Sequence, residues 1–284
     1  MPCIPYDPTN ASLLKPGDAE SLFVGSRIPL DDLDAICAEC SRLAYIGFER
    51  EASEEKRLRT YLEYASLSEF QPIVDAETDT NAFLTVLADG RALIAFRGTQ
   101  PDHAKNILTD LDAGIRPWKP GGEVHGGFAD AFDSISHTLA GLLRRYANTK
   151  PPIFTGHSLG AALATLATSL RPDAYLVTFG SPRVGDAEFA ALFKSVRMSR
   201  YVDCCDEIAQ LPPMFLDGYV HCSAEIYIDS TGNRRAGMPE DAIHADRRDA
   251  AAEYLLKFAW HLLTNVPVRS LADHSPINYV RSFT

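Results

Sequence analysis

The chain has 284 residues, 46% of them apolar, and a formal net charge of −11. That is enough material for one large α/β domain or two small ones, and it excludes wholesale disorder. The acidic balance disfavours nucleic acid, whose binding needs Lys and Arg at the phosphates, and stable docking on an anionic membrane surface.

The first thirty residues are rich in Pro, Gly, Asp and Ser and read as an irregular N-terminal arm, 1–30. They carry neither the basic start nor the apolar run of a secretory leader. Helices are expected at 31–46, with Leu33, Ile36, Cys40 and Leu43 on one face, and near 53–66, with Leu58, Leu62 and Ala65. Cys37 and Cys40 fall inside the first of these. No second C-x-x-C or H-x3-H supplies further ligands, so they read as buried thiols and no metal is expected.

Strands follow at 83–88 and 91–96, joined by the hairpin turn Asp89-Gly90. An amphipathic stretch at 103–115 precedes a helix at 127–146. The run Pro152–Thr155 is strand-like, and Ala161–Ala167 is a small-residue helix. A strand at 174–179, a helix at 186–195 and a strand at 200–204 come next. Residues 219–221 and 225–229 look like a late antiparallel pair or meander, ended by the turn Ser230–Asn233. A long helix at 241–264 and a short one after Pro276 close the chain. Alternating strands and helices imply a mostly parallel sheet with helices on both faces, and residues 31–284 read as a single domain.

No apolar run reaches the roughly 18 residues of a membrane span. Adjacent Cys204 and Cys205 would point to opposite faces of a strand, which argues against a mutual disulfide. The cysteines fit a reducing compartment, so a cytoplasmic location is favoured and secretion is the alternative.

Between the strand at 152–155 and the helix from 161 stands Gly156-His157-Ser158-Leu159-Gly160. A G-x-S-x-G at a strand–turn–helix junction is a nucleophile elbow. It projects a serine at the carboxyl edge of the sheet and aims a helix N-terminus at developing negative charge. A serine hydroxyl needs an imidazole base and a carboxylate to orient it. In this fold class both follow the serine in sequence. Asp206, opening the turn Asp206–Pro213, is better placed as the acid than Asp203, which reads as a strand-edge or salt-bridged residue. For the base, His274 stands in a loop before the last helix. His221 lies in strand-like sequence, His244 among charges at a helix start and His261 inside the long helix.

Several segments carry a resemblance. They are Phe96-Arg97-Gly98-Thr99, Val124–Phe128, the elbow, Thr178–Asp186, Asp206 with Leu211-Pro212-Pro213, and Asp273-His274 with Tyr279. On these, across about 78–280, the chain resembles the class 3 lipases, the fungal triacylglycerol lipase type of α/β-hydrolase. The resemblance implies the triad Ser158, Asp206 and His274, and an oxyanion hole from the backbone N–H groups of Thr99 and Leu159. It implies a lid over 103–115, bearing Ile107, Leu108, Leu111 and Ile115, the alternative for that stretch being a permanently packed surface helix. It also implies an acyl ester or lipid substrate, met at a lipid–water interface, with no metal or other cofactor. Feruloyl-type esterase and phospholipase activities occur in the same family, and a non-catalytic lipase-like binding module is the reading from another class. The chain departs from the family at Asp203, where a histidine is common. Oligomeric state is not legible.

Overall fold

The structure is a computed structural model and describes residues 4–99, 114–214, 218–258 and 263–284. The expected lid therefore falls outside the described residues, except for its last positions. Ile115, expected at the end of that amphipathic helix, instead opens a short strand.

The elements run α1 (Asn10–Leu14), α2 (Leu33–Leu43), α3 (Ala52–Tyr64), β1 (Ser68–Asp75), β2 (Thr80–Val86) and β3 (Ala92–Phe96). The pair β4 (Ile115–Pro117) and β5 (Glu123–His125) precedes α4 (Gly126–Tyr146). Then come β6 (Ile153–His157), α5 (Leu159–Leu170), β7 (Tyr175–Phe179), α6 (Ala187–Ala191) and β8 (Arg197–Asp203). The chain ends with β9 (Ile226–Ile228), β10 (Arg234–Ala236), α7 (Glu240–Phe258), α8 (Arg269–Asp273) and α9 (Pro276–Arg281).

Eight strands form one sheet in the order β1-β2-β3-β6-β7-β8-β9-β10. The pairs from β3 to β9 are parallel, and antiparallel hairpins flank them at both ends. Alternation along each strand splits the core in two. Leu93, Ala95, Ile153, Val177 and Phe179 face the side covered by α2. Ala92, Ile94, Phe96, Phe154 and Leu176 face α4 and α5. Strands buried on both faces read as continuous apolar runs, which is why they were visible in the sequence.

Strand β1 was not expected. Pro72 in its middle argues against a central strand, but β1 is the sheet edge, where a missing N–H is tolerated. The late antiparallel pair also differs. Residues 226–228 pair across the Ser230–Asn233 turn with 234–236, not with 219–221. Asp229 Oδ1 organises that turn by accepting from the N–H groups of Thr231 and Asn233 and from the Thr231 hydroxyl.

The described residues of the arm, 4–30, contain one short helix, α1, and bury Leu22, Phe23 and Ile28 in the core under α2. A fully buried ion pair explains the seam. Arg42 Nη2 donates to Glu39 Oε1 at 2.7 Å, Arg42 Nη1 donates to Pro16 O at 2.6 Å, and Glu39 Oε1 accepts from Ser21 Oγ and Leu22 N–H. A buried charge pair persists only when its remaining hydrogen bonds are met, and here the arm meets them.

Candidate active site

Ser158 sits between β6 and α5 with φ 58° and ψ −129°. That backbone is costly for a non-glycine residue, and such strain concentrates at functional turns. The turn is so tight that a Cβ on Gly156 would lie 2.3 Å from the carbonyl carbon of Gly160. Only glycine leaves room for the crossing.

Three side chains expected from the sequence come together over the sheet's carboxyl edge. Ser158 Oγ lies 3.0 Å from His274 Nε2, and His274 Nδ1 lies 2.9 Å from Asp206 Oδ2. The carboxylate accepts, so Nδ1 bears the proton and Nε2 is free to take the serine's. All three residues are buried, with Ser158 2%, Asp206 1% and His274 6% exposed. The remaining capacity of Asp206 is used as well. Its Oδ1 accepts from the Ile208 N–H at 2.9 Å, and its Oδ2 from Tyr279 Oη at 2.5 Å. Tyr279 accepts in turn from the Asp203 N–H at 3.1 Å. Burial, then the charge of Asp206, pushes its phenol well above the ordinary range, so it stays a donor.

The other candidates are elsewhere. Asp203 ends β8 inside the sheet and is fully buried, so it is not the strand-edge residue expected. Burial, with the charge of Asp273 second, raises its carboxyl well above the usual range, which favours the neutral acid. His221 Nε2 bonds to Ala209 O at 2.9 Å, and His244 lies exposed beside Glu240. His261 lies outside the described residues. His274 stands where expected, in the short turn between α8 and the last helix α9, as the C-cap of α8.

The loop carrying Thr99 leaves β3 and crosses the start of α5. A Cβ on Gly160 would stand 2.2 Å from Phe96 O. Arg97 anchors this loop with Nη1 2.6 Å from Glu49 Oε1 and Nη2 2.9 Å from Asp79 Oδ1. Leu159 is the first residue of α5, where backbone N–H groups have no partner within the helix.

Sequence reasoning missed two supporting residues. Tyr45 Oη bonds to His157 Nδ1 at 2.8 Å and to the Gly98 main chain, joining the elbow to the Thr99 loop. The ring of His157 packs 4.5 Å from that of His274, and burial holds it well below the ordinary histidine range, so it adds no charge beside His274. Gly180, at φ +58°, gives Asp206 and His274 their space. A Cβ there would lie 2.7 Å from Asp206 Oδ2 and 3.2 Å from His274 Nδ1. Neither contact had a local signal, because the partners lie far apart in sequence.

Cys204 and Cys205 follow β8 on a turn, not on its two faces as expected, and their thiols share a 3.6 Å hydrogen bond without forming a disulfide. With Asp273 they place metal-ligating atoms within 4.8 Å of one another. The Asp273 carboxylate is already held by Arg269, Tyr6 and a backbone N–H.

The chain is similar in sequence and in fold to known lipases. Residues 93–216 match the family model described as lipase, class 3. The chain is 32% identical over 170 residues to secreted mono- and diacylglycerol lipase 1 of Fusarium solani, spanning 55% of this chain and 50% of that protein. It is 27% identical to triacylglycerol lipase OBL1 of Ricinus communis, over 91% of this chain and 65% of that protein. The chain thus spans about half to two thirds of the length of these relatives. Lipase II from Rhizopus niveus superposes with a TM-score of 0.56 at 23% identity, over 74% of this chain and 82% of that one. A lipase from Rhizopus microsporus var. chinensis gives 0.55 at 25%, over 74% and 76%. The α/β-hydrolase fold expected from the sequence is the fold observed. The segment that matches the class 3 lipase family, residues 93–216, has the elbow at its centre.

Proposed function

We propose that the chain hydrolyses carboxylic esters, acylglycerols or similar acyl esters, through an acyl-enzyme on Ser158. The observation that carries this reading is the unbroken buried path from Ser158 Oγ through His274 to Asp206. Ser158 Oγ bonds to the ester carbonyl carbon while its proton passes to His274 Nε2. Asp206 holds the ring and stabilises the imidazolium. The oxyanion is met by the backbone N–H groups of Thr99 and Leu159, helped by the Thr99 hydroxyl. His274 then gives its proton to the departing alcohol as the C–O bond breaks. Water attacks the acyl carbon, His274 takes a proton from it, and the carboxylic acid leaves as Ser158 is restored. Residues, water and ester carry every proton and electron pair, so the cycle calls for no cofactor.

The choice of acylglycerol is supported by the names of the relatives in Fusarium solani and Ricinus communis, which act on mono- and diacylglycerols and on triacylglycerols. The net charge of −11 argues against anionic phospholipid headgroups. Among the described residues no helix is long and apolar enough to cross a membrane. We place the substrate at a lipid–water interface. Relatives from Fusarium solani and Penicillium cyclopium are named as secreted, which speaks against the cytoplasmic location that the thiols favour. We read residues 31–284 as one domain onto which the arm folds, a reading supported by the shared core of Leu22, Phe23 and Ile28.

The test is turnover of p-nitrophenyl esters of short to long acyl chains, alongside triolein and the anionic phospholipid phosphatidylglycerol. Hydrolysis of acyl esters and triolein, with phosphatidylglycerol slower, is expected. No hydrolysis of any ester, or preference for the phospholipid, counts against the reading.

A further inference from the structure

We propose that the N-terminal arm positions the catalytic base: Tyr6, acting through Asp273, braces the His274 segment against the acid loop. The inference rests on the reading of His274 and Asp206 given above.

The two catalytic partners are each preceded by a residue that bonds to the other's predecessor. Cys205 N–H donates to Asp273 Oδ2 at 2.9 Å, alongside the 2.9 Å contact between His274 and Asp206. The acid loop and the base segment are thus pinned together at two consecutive residues. Asp273 is fully buried. Its Oδ2 also accepts from Arg269 Nε at 3.0 Å, and its Oδ1 accepts from Tyr6 Oη at 2.7 Å.

Tyr6 is held in turn. Its ring lies 5.1 Å from the guanidinium carbon of Arg269 and 4.7 Å from that of Arg281, and it meets Tyr254 edge-on at 6.3 Å. The next residue, Asp7, donates its N–H to Asn278 Oδ1 at 3.0 Å and accepts from Asn278 Nδ2 at 2.8 Å. The same Nδ2 donates to Ala272 O at 2.8 Å. Tyr6 and Asp7 therefore grip the chain on both sides of His274.

The segment needs outside support. Helix α8 is a single turn, and an isolated turn does not hold itself in water. A buried carboxylate such as Asp273 is stable only with its hydrogen bonds satisfied, and the arm supplies one of them. Neither Tyr6 nor Asp273 touches the reacting atoms. They are positioning residues, and a misplacement of about 1 Å at the base costs on the order of a hundredfold in rate.

Tyr6→Phe and Asp273→Asn in the full chain test the brace. Three readouts apply: kcat and KM on a soluble ester, the melting temperature, and the far-downfield Nδ1 proton resonance of His274. Tyr6→Phe is expected to lower kcat about tenfold and Asp273→Asn about a hundredfold, with KM unchanged. The imidazole resonance should shift or broaden in both while the proteins stay folded. If Asp273→Asn does not fold, Tyr6→Phe alone carries the test. Unchanged kcat and an unchanged resonance in folded Tyr6→Phe overturn the brace. So does a rate loss that only follows the loss of folded protein. If the wild-type chain hydrolyses no ester, the ester reading fails, while the resonance still reports whether the arm sets the His274–Asp206 bond.

Discussion

Replacing Gly180 with alanine places a methyl group where Asp206 and His274 meet. The new Cβ would stand 2.7 Å from Asp206 Oδ2, 3.0 Å from Tyr279 Oη and 3.2 Å from His274 Nδ1. The first distance is below any real Cβ contact, so the carboxylate or the backbone must move. The backbone is already at φ +58°, which costs an alanine about 1–2 kcal/mol. Displacing Asp206 also weakens a hydrogen bond to a charged group worth roughly 1.5–3 kcal/mol. We expect a melting point lower by several degrees, and a kcat reduced by between about 10² and 10⁴. The lower bound is the cost of misplacing the base and the upper that of losing the acid's orienting role.

Gly237→Ala is the matched control. Gly237 has φ +67° with nothing within 4 Å of its Cβ position, so it carries the backbone cost without the clash. Its melting point should fall by a similar strain term, with kcat on p-nitrophenyl butyrate unchanged. If Gly180→Ala keeps wild-type kcat, or if Gly237→Ala loses activity in the same proportion, the crowding argument is wrong.

Asp206→Asn should leave the fold intact and lower kcat about 10⁴-fold, because the amide favours the wrong imidazole tautomer. Active-site titration of folded protein beside steady-state rates would show it, and an Asn variant within the wild-type range would remove Asp206 from the mechanism. His221 gives a pH prediction. Burial, then the charges of Arg200 and Arg183, holds it well below its ordinary value of 6.5. The folded state therefore excludes a proton that the unfolded state binds below that pH. Stability present above pH 6.5 is lost as pH falls, by up to about 1.4 kcal/mol per pH unit from this group. His221→Gln keeps the donor to Ala209 O but cannot titrate, so urea melts between about pH 5 and 6.5 should show a shallower decline. An unchanged slope contradicts the assignment.

That Ser158, Asp206 and His274 come together was legible, because the serine elbow has a local signature and its partners have an expected order along the chain. The parallel strands were legible from their continuous apolar runs. Strand β1 was not, since Pro72 gives a breaker signal whose meaning depends on whether the strand is an edge. Asp203 was misread because its burial is set by β9, a strand that pairs across a gap of more than twenty residues. The functions of Tyr45, Gly180 and Tyr6 lie in contacts with distant parts of the chain. Tyr6 and Asp273 are 267 positions apart, a spacing that no periodicity or motif encodes.

Everything proposed for function turns on one hydroxyl. Intact-mass spectrometry after exposure to an alkyl phosphonate ester, with peptide mapping, reads it. We expect one adduct, on Ser158, formed in parallel with loss of ester hydrolysis. The Ser158→Ala variant should take up no label and show no turnover above background. Labelling at another residue, or a Ser158→Ala protein that hydrolyses esters at the wild-type rate, would contradict the account.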